Sequence, residues 1–316
     1  MFPQSREDLS YYYGRVSLAL IAYTALVQVM TSLCYLPYYL GDYELFYSDW
    51  YYYLIDPVVF YPAGLLVFGL MLRRFPTPKL VKAGPPEPRQ ICSGLAVALG
   101  LLYASSDLTD LLLSGTETVD YANEAVAEEP ILFALLCTVL IAPICEEYIF
   151  RRLLLDRLLF LGDWSAIVIS SLFFGLFHTN LYQFLYAFAV GLVLGYVRIM
   201  TGRMRWNILL HMFINLFCGV LISYLPDEEW IYSLLGVAVI GCICYSAAYL
   251  LREKPWRNFY PGPTRFSGGE KRRACLTNVT FWLCVLIHLG LSVYYICILM
   301  KGQPRHCGGC PLRYFG

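Results

Sequence analysis

Apolar stretches of about twenty residues recur along the whole chain, and each is separated from the next by a short polar segment. An α-helix of that length spans the hydrocarbon core of a bilayer. The pattern predicts nine membrane helices, at residues 16–37, 54–72, 91–106, 130–150, 164–181, 183–200, 206–225, 231–251 and 276–300. The expected fold class is therefore all-α, a polytopic membrane helix bundle forming one integral membrane domain over residues 1–316.

The segment between the fourth and fifth helices, RRLLLDRLLFLGD (151–163), has a different pattern. Its leucines recur with helical spacing and its charges collect on the other side. Such an amphipathic pattern is typical of a helix that lies along the membrane interface. The fourth membrane helix is accordingly expected to end near residue 150.

The charged loops alternate along the chain. Lys and Arg predominate in segments 73–90, 198–205 and 252–275, whereas Asp and Glu predominate in segments 38–50, 107–129 and 225–230. An excess of Lys and Arg marks the cytoplasmic side of short loops. The alternation predicts a cytoplasmic N-terminus, and its simplicity favours a bacterial plasma membrane.

Composition narrows the set of partners. The chain is 59% hydrophobic and 15% charged, with a net charge of zero, so the bilayer is its expected surroundings and nucleic acid is not an expected partner. The stretch FSGGEKRR (266–273) is similar to part of an ATP-transporter signature, but the chain has no GxxxxGK[ST] loop. We therefore expect a basic cytoplasmic loop there and no bound nucleotide.

Most of the twelve cysteines lie inside apolar runs, where they serve as small hydrophobic residues. The tail sequence HCGGC is the exception, with His306, Cys307 and Cys310 close together. One CxxC supplies too few ligands for a structural metal site. A tail disulfide or two unreacted thiols is the favoured interpretation.

Four charges interrupt the apolar stretch VLIAPICEEYIFRRLLL (139–155). Burying a charge without a partner is expensive, so these residues need a structural or chemical reason. Arg151 follows Glu147 by four residues, which is the favourable order for an ion pair on a helix. Glu146 points about 100° away from Glu147 on an α-helix and is free to face something else. Pro143, just upstream, is expected to kink the helix.

Two further polar sites follow in apolar helices. FFGLFHTN places Phe174 and His178 one turn apart, with Gly175 allowing a close approach of another helix. LLHMFIN places His211 and Asn215 one turn apart, on a face that should point into the bundle. Each group alone is compatible with a purely structural role. A carboxylate, two histidines and an asparagine together form a set that can activate water and stabilise an oxyanion.

The motifs EEYIFR, FGLFH and HMFIN resemble the EExxxR, FxxxH and HxxxN motifs of the CPBP family, also called the Abi family. These are the CaaX-protease and bacteriocin-processing intramembrane peptidases, including the Ras-converting-enzyme type. The resemblance covers roughly residues 138–219. It implies a catalytic core at 130–225, preceded by N-terminal helices at 1–129 and followed by C-terminal helices and a tail at 226–316.

The resemblance implies hydrolysis of a peptide bond within the membrane. Glu146 is then the general base, His178 positions the water, and His211 and Asn215 stabilise the oxyanion. Glu147, Arg151 and Phe174 support these four side chains. The implied substrates are a prenylated CaaX protein, or a peptide precursor such as a bacteriocin or signal peptide, with a role in self-immunity as a variant of the latter.

Three alternatives stay open. Glu146, His178 and His211 are also residues of the types that bind zinc with one position left for water. The chain could instead be a non-proteolytic scaffold or immunity protein of the same fold, or a transporter, although it shows no internal repeat. One difficulty concerns depth, because Glu146 is expected near the end of its helix and His178 about 22 Å along the next one.

Overall fold

The computed structural model describes residues 3–46, 48, 51, 56–78, 86–114, 130–226 and 228–302, and its side chains are described except at 56, 57 and 297–302. The HCGGC tail and most of the acidic segment 107–129 lie outside the described residues. Within those ranges the regular elements are helices and no strand occurs.

Ten main helices follow one another in the described ranges: α1 (Arg6–Cys34), α2 (Tyr61–Met71), α3 (Pro88–Leu113), α4 (Ile131–Leu161), α5 (Asp163–Phe177), α6 (Leu181–Thr201), α7 (Met204–Leu221), α8 (Glu229–Glu253), α9 (Gly268–Leu276) and α10 (Val279–Gly302). Short turns of helix occupy Leu36–Tyr39, Tyr43–Phe46, Asp56–Phe60 and Pro255–Asn258. All nine apolar stretches are helical where described, so the predicted all-α membrane bundle is confirmed. Seven described helices, rather than nine, are long and apolar enough to cross a membrane, while α2 and α5 are shorter.

Helix α4 is longer than predicted and continues past residue 150 to Leu161. The predicted end near residue 150 is therefore wrong, and residues 151–161 form the last part of α4 rather than a separate helix. The charges that suggested an end to the helix are paired inside the protein instead. Asp156 accepts two hydrogen bonds from Arg198 of α6, at 3.0 and 2.7 Å, and a third from Arg152 at 2.9 Å. Because Arg198 comes from a distant part of the chain, the local pattern does not show the pairing that lets Asp156 stay within a packed helix.

Helix α4 alternates between α and π geometry. The π segments cover Ala134–Ile141 and Tyr148–Leu155, on either side of the α segment Ala142–Glu147. In a π turn each N–H donates to the carbonyl five residues earlier. The N–H of Ala142 does so to Cys137. π turns are rare and occur frequently at functional sites.

The turn between α4 and α5 sets the depth of the site. Gly162 adopts a φ of 95°, which favours glycine, and Lys271 of α9 donates to the carbonyls of Leu161 (2.8 Å) and Pro261 (2.7 Å). The two helices therefore form a fixed antiparallel hairpin. Glu146 and His178 each lie sixteen residues from Gly162. The hairpin thus brings them to a similar depth, and the difficulty noted from the sequence arose from ending α4 too early.

Helices α5 and α6 pack closely, as the glycine in FFGLFHTN predicts. A Cβ on Gly175 would lie 2.8 Å from the carbonyl oxygen of Phe184. The tight connection between the helices places Thr179 at a φ of 47°, and the side chain of Asn180 caps α6 by accepting a hydrogen bond from Tyr182 N–H. His178 is therefore held at the end of a helix that cannot shift against its neighbour.

The segment FSGGEKRR forms a helix rather than the expected loop. Ser267 and Glu270 make a capping box at the start of α9, which satisfies N–H groups that would otherwise lack partners. These bonds hold the pKa of the Glu270 carboxyl below its usual range, chiefly through the Ser267 N–H. Two apolar cores complete the bundle, one shared mainly by α1, α2, α4 and α5, the other by α3, α6 and α7.

Candidate active site

Glu147 and Arg151 form an ion pair within α4. The distance from Arg151 Nε to Glu147 Oε2 is 3.2 Å, and both side chains are fully buried. The pair predicted from the four-residue spacing is therefore present. The guanidinium carbon of Arg151 also lies 4.8 Å from the centre of the Phe174 ring, a cation–π contact from α5.

Arg151 also acts on the charge of Glu146 at longer range, without an ion pair between the two side chains. The π segment begins at Tyr148, directly after Glu147, and its wider turn brings the residue at i+5 back toward the same face. One arginine consequently stabilises the charge of two adjacent carboxylates.

His211 of α7 lies between the two carboxylates. Its Nδ1 is 3.1 Å from Glu147 Oε1, within hydrogen-bond distance, and its Nε2 is 3.7 Å from Glu146 Oε2. Glu147 accepts from Nδ1–H and so fixes the orientation of the ring. The longer distance to Glu146 leaves Oε2 of that residue without a direct hydrogen bond to the ring.

Tyr61 supplies the other partner of Glu146. Its hydroxyl, at the start of α2, donates to Glu146 Oε1 at a distance of 3.2 Å. Sequence reasoning missed this residue, because it belongs to none of the three motifs and the chain contains 27 tyrosines. Its position depends on how α2 packs against α4, which the local pattern does not reveal.

Asn207 is a second residue that the sequence analysis missed. It is fully buried on α7, donates to the carbonyl of Leu194 on α6, and interacts with the carboxylate of Glu147. A signal was available, since Asn207, His211 and Asn215 recur every four residues on one helix face. That face of α7 is the polar wall of the site.

His178 lies at the C-terminal end of α5, half-buried. Its ring is edge-on to Phe174, with centroids 5.2 Å apart, and it is near enough to His211 for an electrostatic interaction. Within the described part of the chain, the His178 ring makes no hydrogen bond and has no contact with Glu146. Its imidazole is therefore placed beside the carboxylates rather than tied to them.

Phe174 is the common apolar neighbour of the group. Besides His178, its ring contacts His211 with centroids 5.8 Å apart and Phe150 with centroids 5.1 Å apart. Together with Arg151, these contacts place one aromatic ring between three charged or titratable side chains. The phenylalanine of the FxxxH motif is therefore an apolar contact shared by Arg151, His178 and His211.

Asn215 is positioned by the backbone of α4. Its Nδ2 donates to the carbonyl oxygen of Thr138 at 2.9 Å. In π geometry that carbonyl would accept from the N–H five residues later, but residue 143 is proline and has none. One amide hydrogen of Asn215 is thus committed to α4, and the second is left for another acceptor.

A zinc site does not fit the described geometry. No group of three or more His, Cys, Asp and Glu side chains in the described ranges is arranged to hold a metal ion. The set considered from the sequence, Glu146, His178 and His211, is not gathered around one point. The misfit lies in the number of ligands that converge, since the Nδ1 hydrogen bond of His211 to Glu147 leaves its Nε2 unoccupied.

Comparison with known families agrees with the motifs. Residues 128–217 match the Rce1-like family model, described as type II CAAX prenyl endopeptidase Rce1-like. No curated protein and no solved structure matches the chain. The matched segment contains all seven predicted site residues, so the resemblance predicted from three motifs is confirmed. The family of the matched model is one of endopeptidases, and the apolar helices are those of an integral membrane protein.

Proposed function

From its Rce1-like segment, we propose that the chain is an intramembrane endopeptidase that uses Glu146 to activate water. The observation that carries the proposal is the contrast between the two adjacent carboxylates. Glu147 is held by Arg151 and His211, whereas Glu146 keeps one oxygen, Oε2, without a hydrogen bond from any described residue. A general base needs such an oxygen.

The hydrogen bond from Tyr61 makes the two carboxylate oxygens of Glu146 chemically inequivalent. Because the tyrosine hydroxyl donates to Oε1, the carboxylate cannot rotate freely and Oε2 is the atom that takes the proton. The water oxygen then bonds to the scissile carbonyl carbon, and the C–N bond breaks as the proton passes from Glu146 to the leaving amine. No other proton acceptor is required.

His211 stabilises the intermediate. Glu147 accepts from its Nδ1–H and holds the ring with Nε2 on the side that faces Glu146, from where an Nε2–H would donate to the oxyanion. A donor fixed before the reaction stabilises the oxyanion at no reorganisation cost, an effect worth roughly 3–4 kcal/mol. Arg151 balances the charge of Glu147, which keeps the carboxylate ionised next to the ring.

Asn215 and His178 complete the site. The second amide hydrogen of Asn215 is available to the same oxyanion, since Thr138 holds the first. His178 has no hydrogen-bond partner among the described residues, so its imidazole is free to hold the attacking water. Both residues keep the roles that the motifs imply.

The substrate enters from the membrane. Glu146 lies fifteen residues from Leu161 at the end of α4, about 22 Å along the helix, so the site is deep in the bundle. The substrate is a membrane-associated polypeptide, either a prenylated CaaX protein or a peptide precursor. In both cases the scissile bond has to reach the site through the lipid phase.

The test is cleavage in proteoliposomes. Wild-type protein is mixed with a farnesylated CaaX peptide, its unprenylated form and a hydrophobic signal peptide, and products are identified by mass spectrometry. Cleavage of at least one peptide should disappear in Glu146→Gln and persist in Glu253→Gln, whose side chain is half-exposed on α8. Undiminished cleavage by Glu146→Gln, or no cleavage by the wild type, would contradict the proposal and favour a scaffold or immunity protein.

A further inference from the structure

A basic cavity lies between the beginning of α1 and the end of α2. Its volume is about 400 Å³, and three arginines line it: Arg15 on α1, and Arg73 and Arg74 immediately after α2. Tyr11, Tyr12 and Phe75 form the aromatic part of its wall. None of these residues belongs to the three motifs.

The cavity is remote from the candidate active site. The ring of Tyr12 contacts Phe160 near the end of α4, with centroids 4.9 Å apart. Phe160 follows Glu146 by fourteen residues, about 21 Å along the helix. The cavity therefore needs an explanation separate from catalysis.

The positive charge of the cavity is not neutralised by the protein. None of the three guanidinium groups lies within ion-pair distance of a carboxylate in the part of the chain that the structure describes. Asp8, one turn from Tyr12 on α1, adds one negative charge nearby, but its Oδ2 accepts from the backbone N–H groups of Gln4 and Ser5 and it makes no ion pair with these arginines. Three like charges around one cavity favour an anion.

Part of the wall is held in place by contacts within the protein, whereas Arg73 and Arg74 are exposed. Arg15 donates through Nη2 to the carbonyl of Met71 at 2.9 Å, which orients its guanidinium at the end of α2. Tyr12 packs edge-on against Phe75, with centroids 4.7 Å apart. A site whose donors are already ordered loses less entropy when it binds.

Depth and chemistry together identify the ligand class. Arg73 and Arg74 follow the end of the apolar helix α2 and begin the basic segment 73–90, and basic residues and tyrosines of this kind are typical of the headgroup region of a membrane. Guanidinium groups bind phosphate oxygens in paired hydrogen bonds. We infer that the cavity is a phosphate-binding site filled by the headgroup of an anionic phospholipid. This inference does not depend on the proposed protease activity.

Binding of short-chain lipids to the full-length protein in detergent tests the inference. Dioctanoyl phosphatidylglycerol is titrated and counted by native mass spectrometry, in parallel with dioctanoyl phosphatidylcholine and with glycerol 3-phosphate. Arg73→Gln/Arg74→Gln removes two charges from the cavity. Arg272→Gln/Arg273→Gln is the matched control, since it removes two exposed arginines from α9. Arg15 is left intact because it caps α2.

We expect one saturable phosphatidylglycerol per chain, bound more tightly than phosphatidylcholine. Arg73→Gln/Arg74→Gln should weaken that binding by roughly tenfold or more, and the control pair by less than about twofold. Glycerol 3-phosphate binding as tightly, with the same arginine dependence, would overturn the lipid as the source and retain the phosphate site. Absence of saturable binding, or equal losses in both arginine pairs, would overturn the site itself.

A second variant guards against a folding defect. Arg73→Lys/Arg74→Lys keeps both charges and loses the paired donors, so it should fold normally. Its affinity for phosphatidylglycerol should lie between those of the wild type and the glutamine pair, because lysine holds phosphate only as a point charge. If the lysine pair and the glutamine pair both bind phosphatidylglycerol as tightly as the wild type does, these arginines do not recognise the headgroup.

Discussion

Asn215 donates a hydrogen bond to the carbonyl oxygen of Thr138, and the bond replaces one that the backbone of α4 cannot make. In the π segment Ala134–Ile141 this carbonyl would accept a hydrogen bond from the N–H of residue 143, but residue 143 is proline and has no N–H. The proline of the EExxxR helix and the asparagine of the HxxxN motif are therefore complementary. The proline removes the backbone donor of the Thr138 carbonyl, and the asparagine supplies a side-chain donor in its place.

Pro143→Ala tests this complementarity in a double-mutant cycle with Asn215→Ala. Alone, Asn215→Ala leaves a carbonyl without its donor and should destabilise the protein by about 1–3 kcal/mol. In the Pro143→Ala background the alanine N–H can donate to the Thr138 carbonyl. Asn215→Ala should therefore destabilise the protein less in that background. Melting temperatures of the four proteins in detergent measure the interaction, and additive effects would contradict it.

The fold was largely predictable because a bilayer requires long apolar helices. All nine apolar stretches are helical where described, and the Glu147–Arg151 pair follows from local spacing. The end of α4 was not predictable, because the partner that keeps Asp156 buried is Arg198, 42 residues away in the chain. The sequence pattern around Asp156 contains no information on its contact with Arg198.

The site was predictable to the extent that its residues occur in ordered motifs. The π geometry of α4 was not, although it places Arg151 near both carboxylates. Tyr61 could not be singled out, because its role depends only on how α2 packs against α4. Asn207 could have been found from the four-residue repeat that it begins on α7.

Tyr61→Phe should lower cleavage without unfolding the protein. The change removes only the hydroxyl that donates to Glu146 Oε1, so both carboxylate oxygens lose their separate roles. A hydrogen bond to a charged group contributes roughly 1.5–3 kcal/mol, which predicts a fall in kcat of about tenfold to a hundredfold. Tyr232→Phe on the exposed surface of α8 is the control and should keep full activity. Equal activity of the two variants would remove Tyr61 from the site.

Gly175→Ala should disturb the position of His178 through the packing of α5 on α6. The added Cβ would lie 2.8 Å from the carbonyl of Phe184, so the helices have to move apart. We expect destabilisation of about 1–3 kcal/mol, seen as a lower melting temperature, together with reduced kcat. Gly236→Ala on α8 is the matched control, because nothing lies within 4 Å of its added Cβ. A melting temperature unchanged by Gly175→Ala would show that the contact is not tight.

Chelation separates the water-activating glutamate from the zinc alternative. Among the described side chains, no three His, Cys, Asp or Glu groups are arranged to hold a metal ion. Dialysis against 1,10-phenanthroline should therefore leave cleavage unchanged, and elemental analysis of active protein should find far less than one zinc per chain. Loss of activity on chelation, restored by stoichiometric zinc, would show that Glu146, His178 and His211 act as ligands.

The two partners of Glu147 can be separated by a pair of variants. Glu147→Gln leaves Arg151 as an unpaired buried charge, and breaking such a pair destabilises a protein by roughly 3–5 kcal/mol. Adding Arg151→Met removes that charge, so the double variant should regain much of the melting temperature. It should not regain activity, because His211 still lacks the carboxylate that supports its charge in the transition state. If the double variant is both stable and active, Glu147 serves only to hold Arg151, and the proposed chain from Arg151 through Glu147 to His211 plays no part in hydrolysis.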